Sequence, residues 1–140
     1  MIILDTNIVS ELMREQPSPA VADWIQSFDP NQFTITSITV AEIMRGLARM
    51  PEGRRHRKLE QSFDGFIHDA FSSKILAFDE QAALLYGEIS AGREKKGLSV
   101  DPVDLMIASI AKNHNATIAT RNIKDFDACG IKLINPWKLN

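Results

Sequence analysis

Apolar positions change period several times along this chain, and the first change is the sharpest. Ile2, Ile3 and Leu4 run without interruption, too short for a buried helix and typical of a strand covered on both faces. Ile8, Val9, Leu12 and Met13 follow at helical spacing. The stretch reads strand, sharp turn, helix, with Asp5-Thr6-Asn7 at the strand's carboxyl end. Ala20, Val21, Trp24, Ile25 and Phe28 predict a second helix ending near Asp29-Pro30, and Phe33 to Thr36 a short strand. Apolar residues at 40, 43, 44 and 47 mark one face of a helix over Ser37 to Met50. After Pro51-Glu52-Gly53 a longer helix turns Leu59, Phe63, Phe66 and Ile67 inward. Ile75 to Phe78 predicts a strand, Ala82, Leu85, Tyr86 and Ile89 a helix ending near Gly97, and Asp101 to Asn115 another helix. Thr117 to Thr120 and Ile131 to Ile134 complete the strands before Asn135-Pro136-Trp137. Strands alternating with helices imply a mostly parallel sheet covered on both faces, a three-layer α/β/α sandwich.

Composition narrows the class. A chain of 140 residues with 44% hydrophobic content is expected to form one globular domain over residues 1–140. No run of about 18 apolar residues and no charged-then-apolar leader is present, so neither a membrane span nor a signal peptide is expected. Cys129 is the only cysteine, which excludes an internal disulfide and a thiolate zinc cluster and fits a reducing cytoplasm. A net charge of −2 exerts no global pull on nucleic acid, so any such binding must come from a local patch. The absence of G-x-G-x-x-G after the first strand argues against a dinucleotide-binding domain. No lysine sits at a strand end where a phospho-acceptor receiver domain would need one.

The polar residues acquire meaning on that frame. Open parallel sheets bind ligands beyond the carboxyl ends of their strands, and Asp5 falls there. Thr120-Arg121-Asn122 follows a strand in the same way, with Asp125 three residues beyond Asn122. Glu42 lies early in the helix that leaves the 33–36 strand, and Asp104 in the first turn of the 101–115 helix. These carboxylate and carboxamide groups are expected to meet in one crevice. Each also has a local explanation. Thr6 or Asn7 could cap the first helix with Asp5 as a turn residue, Thr39-x-x-Glu42 fits a capping box, and Asp101-Pro102-Val103-Asp104 fits N-cap, N1 proline and N3 acid. Asp125 alone reads as a solvated turn residue. Asp104, however, precedes Leu105, Met106, Ile107, Ala108 and Ala111, a helix apolar enough to be buried, and an acid at a buried helix end needs a partner. No arginine is near in sequence to supply one; a hard divalent cation is the economical alternative.

Taken in order, LDTNIVSEL, TSITVAEIMRGL, FDEQAA, DPVDLMIASIA, TRNIKDF and NPW resemble, over essentially the whole chain, a PIN-domain ribonuclease toxin of the VapC/FitB type, the toxic half of a type II toxin–antitoxin pair. The resemblance implies a PIN-like fold and a divalent-metal-dependent endoribonuclease. Its catalytic acids fall on Asp5, Glu42 and Asp104. Asp101 is excluded because the motif places the acid directly before the apolar helix. The fourth position falls on Asn122, where some relatives carry aspartate, and Asp125 takes the supporting position in N-x-x-D-F. Oxygen-only ligands select Mg²⁺ or Mn²⁺ over zinc or copper. Asp5 and Asp104 are then direct ligands, Glu42 binds through water or orients the attacking water, and Asn122 and Asp125 complete the shell. Asparagine at 122 removes one negative charge and weakens the case for a tightly held second metal. Thr6 and Thr120 are expected to hold carboxylates through their hydroxyls. His56, His68 and His114 fit no motif.

RNA must still reach an acidic crevice. Between Arg45 and Lys58 six basic residues stand against Glu52 alone. Arg54 to Lys58 open a helix, where the dipole disfavours cations, so the run reads as a phosphate-tracking or partner-facing patch rather than a merely solvated face. Arg45, Arg54, Arg55 and Arg121 are the RNA-binding candidates, with Arg93, Lys95 and Lys96 beside them. The resemblance further implies a homodimer held inactive by a small VapB/FitA-like antitoxin that carries the complex to DNA. Ile8, Val9, Leu12 and Met13, with Val40, Ile43, Met44 and Leu47, exceed what one sheet face needs and predict a groove for an amphipathic antitoxin helix. A non-catalytic PIN-like binding module is the competing reading, and the presence of Asp5, Glu42 and Asp104 speaks against it.

Overall fold

A computed structural model describes residues 1–71 and 75–139. Its sheet contains β1 (Ile2–Leu4), β2 (Phe33–Thr36), β3 (Ile75–Leu76), β4 (Thr117–Ala119) and β5 (Leu133–Ile134). They lie in the order β3-β2-β1-β4-β5, and every pairing is parallel. The chain builds outward from β1 on one side and then returns to build β4 and β5 on the other. The winding reverses between β1 and β4, which opens a crevice beyond their carboxyl ends. Leu4 is in register with Ala119, so Asp5 and Thr120 leave the sheet side by side.

Helices α1 (Thr6–Leu12), α2 (Pro19–Gln26), α3 (Ser37–Arg49), α4 (Arg54–Phe71), α5 (Glu80–Lys95) and α6 (Pro102–Asn113) cover the sheet, with 3₁₀ turns at Pro30–Gln32 and Ile123–Phe126. Side chains of β1 alternate between two cores. Ile2 and Leu4 join Phe33, Ile35, Ile8, Val9, Val21, Trp24, Ile43, Leu47 and Phe63. Ile3 joins Ile118, Ala82, Ile89, Leu105, Ile107 and Ile110. The result is the expected three-layer α/β/α sandwich, with α1 to α4 on one face and α5 and α6 on the other. Among the described residues no helix is long and apolar enough to cross a membrane.

Several boundaries differ from the sequence expectation for local reasons. α2 closes at Gln26 because Ser27 turns both its N–H and its hydroxyl onto the Trp24 carbonyl, which releases Phe28 to pack its ring on Trp24 and Phe33. β3 stops at Leu76, and the Phe78 N–H is taken by the Ser37 hydroxyl at 3.4 Å. Asp5, not Thr6 or Asn7, is the N-cap of α1. Thr36, not Thr39, caps α3 by accepting from the Thr39 N–H, so the Thr39–Glu42 capping box does not form. Arg93 does not belong to a basic surface patch. It is 2% exposed, its Nε donates to the Ser99 carbonyl at 2.8 Å and its guanidinium to that of Asp127. It ties the loop after α5 to the turn that precedes β5.

α5 ends in a left-handed cap: the Leu98 N–H reaches the Arg93 carbonyl and the Gly97 N–H that of Glu94, both at 3.0 Å, with Gly97 at φ +72°. A Cβ at Gly97 would meet nothing within 4 Å, so the cost of adding one is backbone conformation alone. Gly97→Ala should lower unfolding free energy by about 1 kcal/mol. Urea titration measures it; an unchanged midpoint would show that the cap contributes nothing.

Candidate active site

Asp5 is the centre of the crevice. Its backbone N–H still continues the sheet, donating to the Ala119 carbonyl at 2.9 Å, while its side chain turns away from the apolar core. Oδ1 accepts from the Thr6 N–H at 2.8 Å. Oδ2 accepts from the Thr120 hydroxyl at 2.8 Å and from Asn7 Nδ2 at 3.2 Å. Asp5 is only 5% exposed, and burial raises its carboxyl above the ordinary value. The Thr120 and Thr6 hydrogen bonds oppose that rise, and the charges of Glu42 and Asp125 add to it.

Glu42 reaches the same place from α3. Its Oε1 accepts from the Thr6 hydroxyl at 2.6 Å, and that hydroxyl also lies 3.1 Å from the hydroxyl of Thr39. A hydroxyl has one proton, and the short contact to a carboxylate claims it. Asp104 sits at N3 of α6, its N–H bound by the Asp101 carboxylate at 3.1 Å. The next residues, Leu105 and Ile107 to Ala111, are all buried, so the helix cannot tilt this acid toward open water without uncovering its core. Asp104 is pushed up to about 7, first by burial and then by the neighbouring charges of Asp101, Asp5, Asp125 and Glu42.

One hollow is lined by Asp5, Thr6, Asn7, Glu42, Asp104 and Asn122, with Arg55, Arg121 and Trp137 among the residues at its edge. Asp125 is not part of the lining. It lies in the 3₁₀ turn beyond Asn122, close enough for its charge to act on Asp5 and Asp104. Among the described residues no three Asp, Glu, His or Cys side chains are gathered closely enough to hold an ion by themselves, so the five-residue shell expected from sequence is not assembled as a cage. Arg45 and Arg54 line neither this hollow nor the groove beside it, whereas Arg55 lines both.

A PIN-domain family model matches residues 2–131. The chain belongs to the PIN-domain family. It is 36% identical to VapC ribonuclease Y4jK of Sinorhizobium fredii, over 99% of each chain. It is also 36% identical to Toxin FitB of Neisseria gonorrhoeae, over 98% of this chain and 99% of that one. FitAB bound to an IR36 DNA fragment superposes with a TM-score of 0.93 at 36% identity, covering 100% of this chain and 98% of the other. This PIN domain is of the VapC/FitB type.

Two residues of this PIN domain carry more of the site than their sequence positions suggest. Asn7 spans the crevice floor: Nδ2 donates to Asp5 and to the Thr120 hydroxyl (3.4 Å), while Oδ1 accepts from the Arg121 N–H at 3.2 Å. That pattern fixes the orientation of the amide, because only its nitrogen can face the acid and only its oxygen the N–H. The parallel tripeptides Asp5-Thr6-Asn7 and Thr120-Arg121-Asn122 are the sequence signal for it. Glu11 is 7% exposed, and accepts from Arg14 Nη1 and from the Ser18 N–H at 2.9 Å, which folds the α1–α2 connection against the rim.

The Asp104 shift has a definite sign. Its folded value lies near 7 against an ordinary 3.8, so its contribution to stability is complete below the unfolded value and is lost as pH rises through the folded one. In chelating buffer the thermal midpoint should therefore fall between about pH 4 and about pH 7. Asp104→Asn, which keeps the shape without the charge, should remove much of that fall and raise the midpoint at neutral pH. A variant that tracks the parent across the window would contradict this account.

Proposed function

We propose that this chain is a Mg²⁺- or Mn²⁺-dependent endoribonuclease and the toxic member of a type II toxin–antitoxin pair, acting in the cytoplasm. The observation that carries the reading is the convergence of Asp5, Glu42 and Asp104 on one hollow, where burial first and neighbouring carboxylates second raise the carboxyls of Asp5 and Asp104. The kinship with a VapC ribonuclease and Toxin FitB supports it.

The donor set suits a small hard cation. Mg²⁺ is held by one or two carboxylates and keeps several waters, which agrees with acids that surround a hollow without forming a closed cage. Asp5 and Asp104 would hold the ion, with Asn122 and Asp125 completing its surroundings. When bound, it supplies positive charge against the charge that grows on the phosphate and raises the acidity of water. The protein does the rest. Thr120, Asn7 and the Thr6 N–H lock the Asp5 carboxylate. Glu42, tied to the Thr6 hydroxyl, orients the attacking water and takes its proton as the water oxygen bonds to phosphorus. The phosphorus–oxygen bond to the leaving nucleotide breaks, the departing oxygen taking a proton from solvent water. Arg55 and Arg121 at the edge are placed to meet the strand's phosphates.

Asp5→Asn and Asp104→Asn should each lower cleavage of single-stranded RNA at least about 100-fold while the far-ultraviolet spectrum is retained. Excess chelator should abolish the parent's activity and added Mg²⁺ restore it. Full cleavage by Asp104→Asn would sink the assignment, and metal-independent RNA binding without cleavage would favour the binding-module reading.

Beside the crevice runs an apolar groove of about 770 Å³ lined by Met13, Ile43, Gly46, Leu47, Met50 and Leu59, and it shares Thr6, Ser10, Arg14, Glu42 and Arg55 with the acidic hollow. Ile8 and Val9 do not contribute: both are fully buried against the sheet. An amphipathic helix of the antitoxin in this groove would end at the acids, where an arginine could occupy the place of the metal. A dimeric toxin held in this way is carried to DNA by the antitoxin. The FitAB complex on a DNA fragment is the supporting precedent. A Cβ at Gly46 meets nothing within 4 Å, so Gly46→Leu should fold and cleave normally yet resist neutralisation by the coexpressed antitoxin. Growth assays read the difference, and complete neutralisation of the variant would place the antitoxin elsewhere.

A further inference from the structure

Arg121 stands apart from the other cations near the crevice. Its guanidinium carbon lies 4.9 Å from the centroid of the Trp137 ring, and both residues line the acidic hollow. The side chain is exposed, and among the described residues it makes no ion pair with the acids beside it. An arginine free to move would be drawn to those carboxylates. Contact with an aromatic face holds the guanidinium over the ring, and the ring offers its N–H donors no conventional hydrogen-bond acceptor to occupy them.

Both partners are fixed from behind. Trp137 packs against the apolar core, and its backbone N–H donates to Asn135 Oδ1 at 3.0 Å. Asn135 Nδ2 donates to the Arg121 carbonyl at 3.3 Å. On the other side, the Arg121 N–H donates to Asn7, the side chain that also holds Asp5. The backbone of Arg121 is thus tied to the C-terminal Asn135-Pro136-Trp137 turn and to the carboxylate at the crevice centre.

We infer that the Arg121–Trp137 pair is a clamp for an RNA phosphate neighbouring the cleaved bond. The guanidinium fork binds the phosphate oxygens, and Trp137 is the positioning residue that keeps the fork off the acids and turned to the substrate. The inference rests on the ribonuclease reading above. It assigns the Asn-Pro-Trp segment a role in substrate placement and separates Arg121 from Arg45 and Arg54, which have no place at the crevice.

Steady-state cleavage of a single-stranded RNA by the full chain tests the clamp. Arg121→Ala should raise KM about tenfold and leave kcat within about threefold, the split expected for a contact made equally in ground and transition states. Arg121→Lys should recover only part of the loss, since a point charge lacks the fork. Trp137→Leu should raise KM comparably, and Trp137→Phe, which keeps a ring face, should restore most of it. In an Asp104→Asn background, where the same RNA binds without turnover, Arg121→Ala should lower the slope of log affinity against log salt by about 0.7. Unchanged KM and slope in Arg121→Ala would overturn the clamp. A raised KM with an unchanged slope would overturn it too, because that pattern belongs to base stacking. If Trp137→Leu does not fold, the Arg121 variants and Trp137→Phe still decide. Failure of the parent chain to cleave RNA is a separate result that removes the ribonuclease reading and the clamp with it.

Discussion

The site depends on a carboxylate kept buried at the end of β1. Asp5 has too little water around it to be stable as an isolated anion, and its three hydrogen bonds come from Thr6, Asn7 and Thr120. Thr120 can reach it only because β1 and β4 are paired in parallel with Leu4 against Ala119. The sheet therefore does more than support the crevice. Its central pairing sets the distance across which the Thr120 hydroxyl and the Asn7 amide bind the acid, and a slip of one residue would turn Asp5 toward the apolar layer.

The second acid is held by a different constraint. Asp104 lies in the first turn of a helix whose Leu105, Ile107 and Ile110 are buried in the core on that side of the sheet, and its position follows from their burial. Packing thus brings like charges together, at a cost in stability that a cation or an arginine can relieve. A protein organised only for stability would not keep this arrangement. Burial and the neighbouring carboxylates together raise the Asp104 carboxyl to about 7, a perturbation of the kind found where acids are gathered at a cleft.

The surroundings divide the work by chemistry. Apolar residues of α3 and α4, with Met13 and Met50 at the ends of α1 and α3, form the groove, the acids line the hollow, and the two share Thr6, Glu42 and Arg55 among others. A partner lying in the groove and an RNA strand crossing the hollow would therefore compete for the same boundary. Arg121 lies over the Trp137 ring and lines the hollow but not the groove, so in the proposed clamp its charge would meet the strand without neutralising the acids.

By itself the sequence determined the alternation of strands and helices and the parallel three-layer architecture, and it singled out three acids that come to line one hollow, because hydrophobic period and short motifs are local properties. It also showed that α6 would be buried with an acid at its end. Tertiary structure alone decided which partner each polar group takes. Glu42 binds a hydroxyl 36 residues away rather than closing a capping box, Asp5 binds Thr120 across 115 residues, and Arg93 is buried on two carbonyls instead of facing RNA. The same holds for α1 and its C-cap, where Ile8 and Val9 are buried in the core and Met13 lines the groove. The physical reason is strand order. Periodicity shows that strands exist and which residues they bury, but the β3-β2-β1-β4-β5 order that places Thr120 beside Asp5 is chosen by packing of the whole sheet.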